Sequence, residues 1–276
     1  MAIIIDGKEV RNNLYKSLKD EVTKLDNVPC LTVVLVGEDP ASKVYVNNKI
    51  KSCEQLGILS NVIKCDSDIS EEKLANIINE LNADPNCTGI LVQAPLPKHI
   101  DETKIFNLID RNKDVDGFNN YNAGALVKNN DGIIPCTVKG IGYLLDYYNI
   151  DVAGKDVTII GRSNIVGKPL ANYLTNKDAT VTLCHSKTND LRSKTLNADI
   201  LIVAVGKPKF IDQTYVKDGA VVIDVGINRV DDKLYGDVDF DSLKDKCSFI
   251  TPVPGGVGPM TVAMLMDNVI QRARRR

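Results

Sequence analysis

Histidine is nearly absent from this 276-residue chain, with only His99 and His185. That argues against a histidine-rich metal site and leaves few candidates for a histidine-based triad. Seven cysteines stand at 30, 53, 65, 87, 136, 184 and 247, and no two are spaced C-x-x-C. Neither a zinc knuckle nor a redox pair is indicated, so no metal is expected. An odd number of cysteines without a secretion signal fits reduced thiols in a cytoplasm. No apolar run reaches membrane-spanning length, so no membrane partner is expected, and "MAIIID" at the N-terminus reads as a first strand. Neither charge sign dominates, at 36 acids against 34 bases, so the basic footprint of a nucleic-acid binder is missing. The terminal "RARRR" reads as a helix end whose cations suit the dipole and the solvent.

What is present is an ordinary globular composition, 43% hydrophobic and 25% charged, on a chain longer than a typical single domain. Two α/β units are expected. Strand and helix patterns alternate almost throughout, which calls for mostly parallel sheets. "CLTVVLVG" (30–37) is a buried strand. Asp39 caps the helix that follows, Pro40 suits its first turn, and Gly57 stops it after Leu56. "NVIKCD" (61–66) is a second strand, and Ser70 opens a helix with Glu71 and Glu72 in its positive first turn. "GILVQAPLP" (89–97) is a strand ended by prolines. Residues 119–150 hold loops and the helix "TVKGIGYLLDYYN". From about 155 a Rossmann-like series runs through "KDVTIIG", "ATVTLCH", "DILIVAVG" and "GAVVIDVG", and "MTVAMLMDNVI" closes the chain as an apolar helix.

"GRSNIVGKP" (161–169) joins a buried strand to a helix. Gly161 and Gly167 let the backbone turn tightly and approach a diphosphate at the helix N-terminus, with Arg162, Ser163 and Ile165 in the turn. The spacing is not G-x-G-x-x-G, and a glycine turn of this kind also serves as a plain connection. The next strand ends Leu183-Cys184-His185-Ser186, without the acid that usually bonds the ribose 2′-hydroxyl of NAD. Arg162 could instead pair with a 2′-phosphate and Ser186 donate to it, which favours NADP. His185 is a polar strand end beside that site and has no catalytic role. Gly206, Gly226 and Ile227, at the ends of two further strands, could line the cofactor or simply end their strands.

"SKVYVNNKIKSC" (42–53) raises a second question. Val46, Ile50 and Cys53 make a buried helical stripe, and Tyr45 and Lys49 lie together at its border. Taken alone, Lys49 is a surface lysine with its stem along the core, and Tyr45 a packing residue. Gln93 sits at a strand's carboxyl edge. "KDVDGF" (113–118) carries Asp114, read as a turn former, and Asp116, which could face a cleft. "TPVPGGVGPMT" (251–261) reads as a loop whose glycines permit close approach to a flat ligand.

Taken in order, "GEDPASKVYVNNK", "VQAPLP", "KDVDGF", "PCT", "GRSNIVGKP", "TVTLCHSKT", "VIDVGIN" and "TPVPGGVGPMT" resemble the bifunctional methylenetetrahydrofolate dehydrogenase/cyclohydrolase family over nearly the whole chain. The resemblance implies a folate-binding catalytic domain of residues 1–119 plus a C-terminal helix at 260–276. It implies a Rossmann-like NADP-binding domain at 120–259, a cleft between the two, and a homodimer. Lys49 then matches the catalytic lysine, Tyr45 the ring stacked on the aminobenzoyl part of folate, Gln93 the residue orienting the lysine, and Asp116 the pterin-binding carboxylate. Arg162, Ser163, Ile165, His185 and Ser186 fall at cofactor positions, and Thr137 near the nicotinamide end. Val253, Gly255, Gly256 and Pro259 belong to the loop beside folate. The chain departs from the family pattern at Asn119, Asn120 and Ala125, where relatives often carry His, Pro and Arg, and at Val138, where they often carry Pro.

The implied reactions are NADP-dependent oxidation of 5,10-methylenetetrahydrofolate and hydrolysis of the methenyl product to 10-formyltetrahydrofolate. A different Rossmann dehydrogenase, acting on a cyclic hydroxy acid, explains residues 155–230 but leaves Tyr45, Lys49 and the 251–261 loop without a task. A silent nucleotide-binding regulator would have tolerated loss of Lys49 or Asp116, and both are present.

Overall fold

The computed structural model describes residues 1–275. In chain order the elements are β1 (Ile3–Ile4), α1 (Gly7–Val22), β2 (Cys30–Val36), α2 (Pro40–Leu56), β3 (Leu59–Cys65) and α3 (Glu71–Ala83). Then come β4 (Gly89–Val92), α4 (Glu102–Leu108), α5 (Asn120–Val127), α6 (Cys136–Tyr147), β5 (Asp156–Ile160) and α7 (Gly167–Thr175). They are followed by β6 (Thr180–Cys184), α8 (Leu191–Thr195), β7 (Ile200–Val203), β8 (Val221–Asp224), β9 (Asn228–Val230) and β10 (Lys233–Tyr235). The last are α9 (Phe240–Leu243), β11 (Phe249–Ile250) and α10 (Val257–Arg274). The described residues divide into two units, one of residues 1–12 and 137–261, the other of residues 13–136 and 262 onward.

The first unit is built on a parallel sheet in the order β1-β11-β8-β7-β5-β6. Every residue of β7 and β8 is buried, as expected of strands covered on both faces. Leu201, Val203, Val222, Ile250 and Leu243 form part of its core. β5 lies between β6 and β7: the chain steps from β5 to β6 and then crosses back to β7 on the other side, so the strand order reverses at β5. Ligands of doubly wound sheets bind at the carboxyl ends beside such a reversal. A short antiparallel hairpin, β9–β10, turns through Asp231 and Asp232, both at positive φ.

The second unit carries the parallel sheet β3-β2-β4. Its core includes Val34, Val36, Ile90, Leu74, Ile78 and Ile105, from the sheet, α3 and α4. The helix signals act as expected. The Asp39 carboxylate accepts from the Ser42 amide at 2.7 Å, and Gly57 closes α2 at φ 74°. Ser70 caps α3, accepting from the Lys73 amide.

Both boundaries differ from those the sequence suggests. β1 pairs with β11, Ile3 opposite Phe249, so the first strand joins the six-stranded unit rather than the folate half. Residues 120–136, read with the dinucleotide half, join the three-stranded unit, because the Asn122 amide bonds the Asp114 carboxylate and accepts from the Ile133 amide. The "RARRR" tail is not merely solvated. Arg272 is buried, Arg274 pairs with Glu21 at 2.8 Å, and Arg275 grips Asp131 with two nitrogens; position 276 lies outside the described residues. Ile50 is half-buried rather than buried, and Ser42 and Leu56 complete the buried face of α2.

Candidate active site

In the three-stranded unit, Tyr45 and Lys49 stand one turn apart on α2, the tyrosine 41% exposed and the lysine half-buried. The Lys49 amine donates to Gln93 Oε1 at 2.9 Å. Gln93 is locked from two sides. Its backbone amide donates to Val34 O at 2.9 Å, continuing the β2–β4 ladder, and its Nε2 donates to Ala94 O at 2.6 Å. With the NH2 group engaged, only the carbonyl end faces the amine.

Asp116 arrives at the same sheet edge by a different route. The segment before it runs beside β4, Asp114 bridging Ile90 and the Ile90 amide donating to Lys113 O at 2.7 Å. Gly89 allows that approach, since a Cβ there would lie 2.5 Å from Val115 Cγ1. Beyond Asp116 the chain wraps around a buried carboxylate. Asp114 accepts from the amides of Gly117 and Asn119, each at 2.9 Å, and from Asn122 Nδ2 at 2.8 Å. The turn former read from sequence is therefore the anchor of the Asp116 loop. Asn119, where relatives often carry His, caps α5 and donates from Nδ2 to Ile109 O at 2.7 Å.

Burial pushes the Lys49 amine down from the usual lysine range, and the nearby charges of Asp116 and Cys136 oppose that. Burial pushes the Asp116 carboxyl up; Lys49 pulls it down, Asp114 adds to the rise, and a Cys136 thiol hydrogen bond lowers it. The cluster is an amine and a carboxyl in a poorly hydrated setting, with a neutral amide fixing the amine's direction. Desolvation favours the neutral amine, the form that can accept a proton.

In the six-stranded unit, β5 ends on Gly161 at φ 119°, whose Cβ would fall 2.1 Å from Ala204 O. A Cβ on Gly167 would fall 1.9 Å from Gly161 O. The glycines thus let β5, β7 and α7 meet. Ser163 Oγ accepts from the Val166 amide at 3.1 Å and the Gly167 amide at 3.4 Å, while Arg162, Ser163 and Ile165 are exposed. The Gly161 amide donates to Cys184 O, so Arg162 and Ser186 leave adjacent strand ends. His185 is half-buried and its Nδ1 accepts from the Lys187 amide, a turn-forming task.

Other positions carry a different explanation from the one expected. Gly226 makes room for Asp237, whose Oδ1 a Cβ would meet at 2.2 Å. Asp237 is fully buried and accepts from the amides of Val205, Gly206 and Lys207, closing the turn after β7. Asp224 at the end of β8 accepts from the Asp237 and Val238 amides, and burial raises its carboxyl to about 7. Neither aspartate is marked by local sequence, since each holds backbone more than ten residues away. Ile227 is exposed, and Gly206 has φ 65° with open space at its Cβ position. Thr137, at the start of α6, meets the Thr261 hydroxyl at 3.1 Å.

The 251–261 stretch is a loop only in its first half, because α10 begins at Val257 and takes Pro259 into its first turn. Proline is tolerated there because the first-turn amides have no helical acceptor. Val253 and Pro254 are joined by a cis peptide, and Gly255 has φ 118°. Gly256 is buried against its own loop, its Cβ position 2.7 Å from Pro252 O, and its carbonyl lies 1.8 Å from a Cβ on Gly7. Its smallness serves packing inside the protein.

Residues 5–116 match the family described as tetrahydrofolate dehydrogenase/cyclohydrolase, catalytic domain, and residues 135–276 match its NAD(P)-binding domain. The bifunctional protein FolD of Agathobacter rectalis is 54% identical over 279 residues, covering 100% of both chains. The crystal structure of the Campylobacter jejuni bifunctional enzyme FolD, a methylenetetrahydrofolate dehydrogenase/cyclohydrolase, superposes with TM-score 0.99 at 46% identity, again covering 100% of each chain. The Trypanosoma brucei methylenetetrahydrofolate dehydrogenase-cyclohydrolase, solved with NADP and an inhibitor, superposes with TM-score 0.96 at 36% identity, covering 99% of this chain and 98% of that one.

Proposed function

Because the chain belongs to the tetrahydrofolate dehydrogenase/cyclohydrolase family, we infer that it is a bifunctional folate enzyme. It oxidises 5,10-methylenetetrahydrofolate to 5,10-methenyltetrahydrofolate with NADP, and hydrolyses the methenyl compound to 10-formyltetrahydrofolate. A single observation carries the hydrolytic half: a half-buried amine, Lys49, held at 2.9 Å by a locked neutral amide beside Asp116.

The residues of the six-stranded unit fit NADP. Gly161 and Gly167 form a cradle that any Cβ would fill, at the N-terminus of a nine-residue helix. A helix N-terminus favours a diphosphate. Arg162 and Ser186, on adjacent strand ends with no acid at that of β6, suit a 2′-phosphate. When bound, NADP takes the hydride that leaves the bridging carbon of the folate. The folate nitrogens stabilise the resulting cation, so the protein's task is placement. We assign Tyr45 to stacking on the aminobenzoyl ring, Asp116 to the pterin, and Thr137 to the nicotinamide end of NADP.

Hydrolysis needs a base. Water adds to the methenyl carbon and one of its protons passes to the neutral Lys49 amine; the carbon–nitrogen bond to N5 then breaks as the adduct's hydroxyl proton is transferred to N5, leaving the formyl group on N10 and the other proton on Lys49. A cationic substrate beside Lys49 lowers its pKa further, in the direction burial already takes it. Gln93 aims the amine without adding negative charge. Lys49→Met removes the base while leaving a stem of similar bulk. Hydrolysis, followed as loss of methenyl absorbance, is expected to fall by about 100- to 10,000-fold, with NADP binding retained. Hydrolysis at the normal rate in that variant would overturn the assignment.

We propose further that the protein is a homodimer, as the family resemblance implies, and cytoplasmic, as an odd count of seven cysteines suggests. Among the described residues no helix is long and apolar enough to cross a membrane. Sedimentation equilibrium is expected to return twice the chain mass of 30.2 kDa.

A further inference from the structure

The three-stranded unit contains a pocket of about 290 Å³ that the folate chemistry leaves unused. Its walls include Arg111, Tyr121, Asn122, Asp131, Arg272 and Arg275. Three arginines therefore meet one carboxylate, and that carboxylate is taken. Both Asp131 oxygens accept from Arg275, at 2.6 and 3.0 Å. Arg111 rests on the Tyr121 ring, its guanidinium carbon 4.4 Å from the centroid. Arg272 is only 7% exposed, and its Nε has no hydrogen-bond partner.

Nearby acids do not meet the demand. Asp114 and Asp110 are felt at Arg272, but Asp114 already accepts from Gly117, Asn119 and Asn122, and Asp110 from the Asn112 amide. A guanidinium removed from water and lacking a full set of acceptors is costly, and a bound anion relieves that cost. Donors approach from different elements: Arg272 from α10, Arg111 from the turn before Asp114, and the side-chain amide of Asn112 beside it. A carboxylate offers two coplanar oxygens and satisfies one guanidinium fork. A tetrahedral oxyanion offers acceptors in several directions, which suits convergent donors. The volume exceeds that of one orthophosphate and leaves space for a second phosphoryl group.

We propose that the pocket walled by Arg111, Arg272 and Arg275 is a binding site for a phosphoryl oxyanion, either an inorganic phosphate or pyrophosphate or the phosphate of a small metabolite. Its floor is rigid, because the Asn122 amide that lines it is fixed to Asp114 and to the Ile133 amide.

The test is a thermal-shift titration with orthophosphate, pyrophosphate and AMP, at constant ionic strength. Saturating NADP is included so that the dinucleotide site is filled. A saturable rise in melting temperature is expected, and the strongest of the three probes separates free phosphates from a phosphorylated metabolite. Arg272→Met and Arg111→Ala should each weaken the response by about tenfold or more, the scale of one lost charge-assisted hydrogen bond. Arg111 is exposed, so its variant reports even if Arg272→Met fails to fold. No saturable shift with any probe, a shift untouched in Arg111→Ala, or a response to citrate and not to phosphates would each overturn the proposal.

Discussion

Lys49 and Lys113 show how one residue type acquires two tasks. The Lys113 amine is buried and donates to Leu81 O at 2.8 Å and Asp84 O at 2.6 Å, at the carboxyl end of α3. There the side chain meets the negative end of a helix, a favourable place for a cation. Lys49 has one neutral amide acceptor at 2.9 Å, and burial lowers its pKa. The neutrality of Gln93 matters because an opposite charge would favour the charged amine. Gln93→Glu places a carboxylate on that amine and should raise its pKa. The base is then protonated up to a higher pH, so the rising limb of the hydrolysis rate moves toward alkaline pH. At fixed pH below the limb, each unit of that move costs roughly tenfold in rate. Measured pH–rate profiles decide it, and an unmoved limb would mean that Lys49 is not the titrating base.

At the scale of elements, the turn between β5 and α7 has little room for change. Gly167→Ala sets a Cβ 1.9 Å from Gly161 O and 2.6 Å from its carbonyl carbon, and backbone cannot step aside as a side chain does. The turn must open, the Ser163 contacts with the Val166 and Gly167 amides must lengthen, and the cofactor loses its cradle. We expect a stability loss of about 1–3 kcal/mol, typical of overpacking. NADP affinity, read by fluorescence titration, should fall about tenfold or more, as when one hydrogen bond to a charged group is lost. Hydrolysis of supplied methenyltetrahydrofolate should continue, since Lys49 lies in the other unit. Equal loss of both activities would count against separate elements for the two steps. This turn was legible in sequence, as were α2 and α3, because caps, glycine stops and buried apolar runs are local signals. The purpose of Gly226 and Gly256 was not, since each is small for the sake of a neighbour brought near by folding. α5 was read as loop, because its cap, Asn119, is held by Asp114 and by Ile109 O. β1 was legible as a first strand, but its partner β11, two residues long, exists only through pairing across the chain.

For the molecule as a whole, the two units are not two successive lengths of chain. α1 starts in the six-stranded unit and continues in the three-stranded one, and α10 crosses between Thr261 and Val262. Residues 13–136 contain Tyr45, Lys49, Gln93 and Asp116, yet they lack part of their own interior. From α10 come Met264, Leu265, Met266, Val269 and Ile270, all buried. Met266 Sδ lies 3.5 Å from Cys53 Sγ, and Asn268 Nδ2 donates to Val115 O at 2.9 Å, one residue before Asp116. Five buried apolar side chains contribute on the order of 10 kcal/mol. That is comparable with the ~5–15 kcal/mol by which a whole domain is stable. A fragment of residues 13–136 is therefore expected to show no cooperative thermal transition by circular dichroism. Joining residues 262–275 to it through a flexible linker should restore one. A cooperative melt of 13–136 alone would show that α10 is an accessory of this unit, and the Val115–Asp116 segment would then owe its position to the Asp114 anchor without help from Asn268.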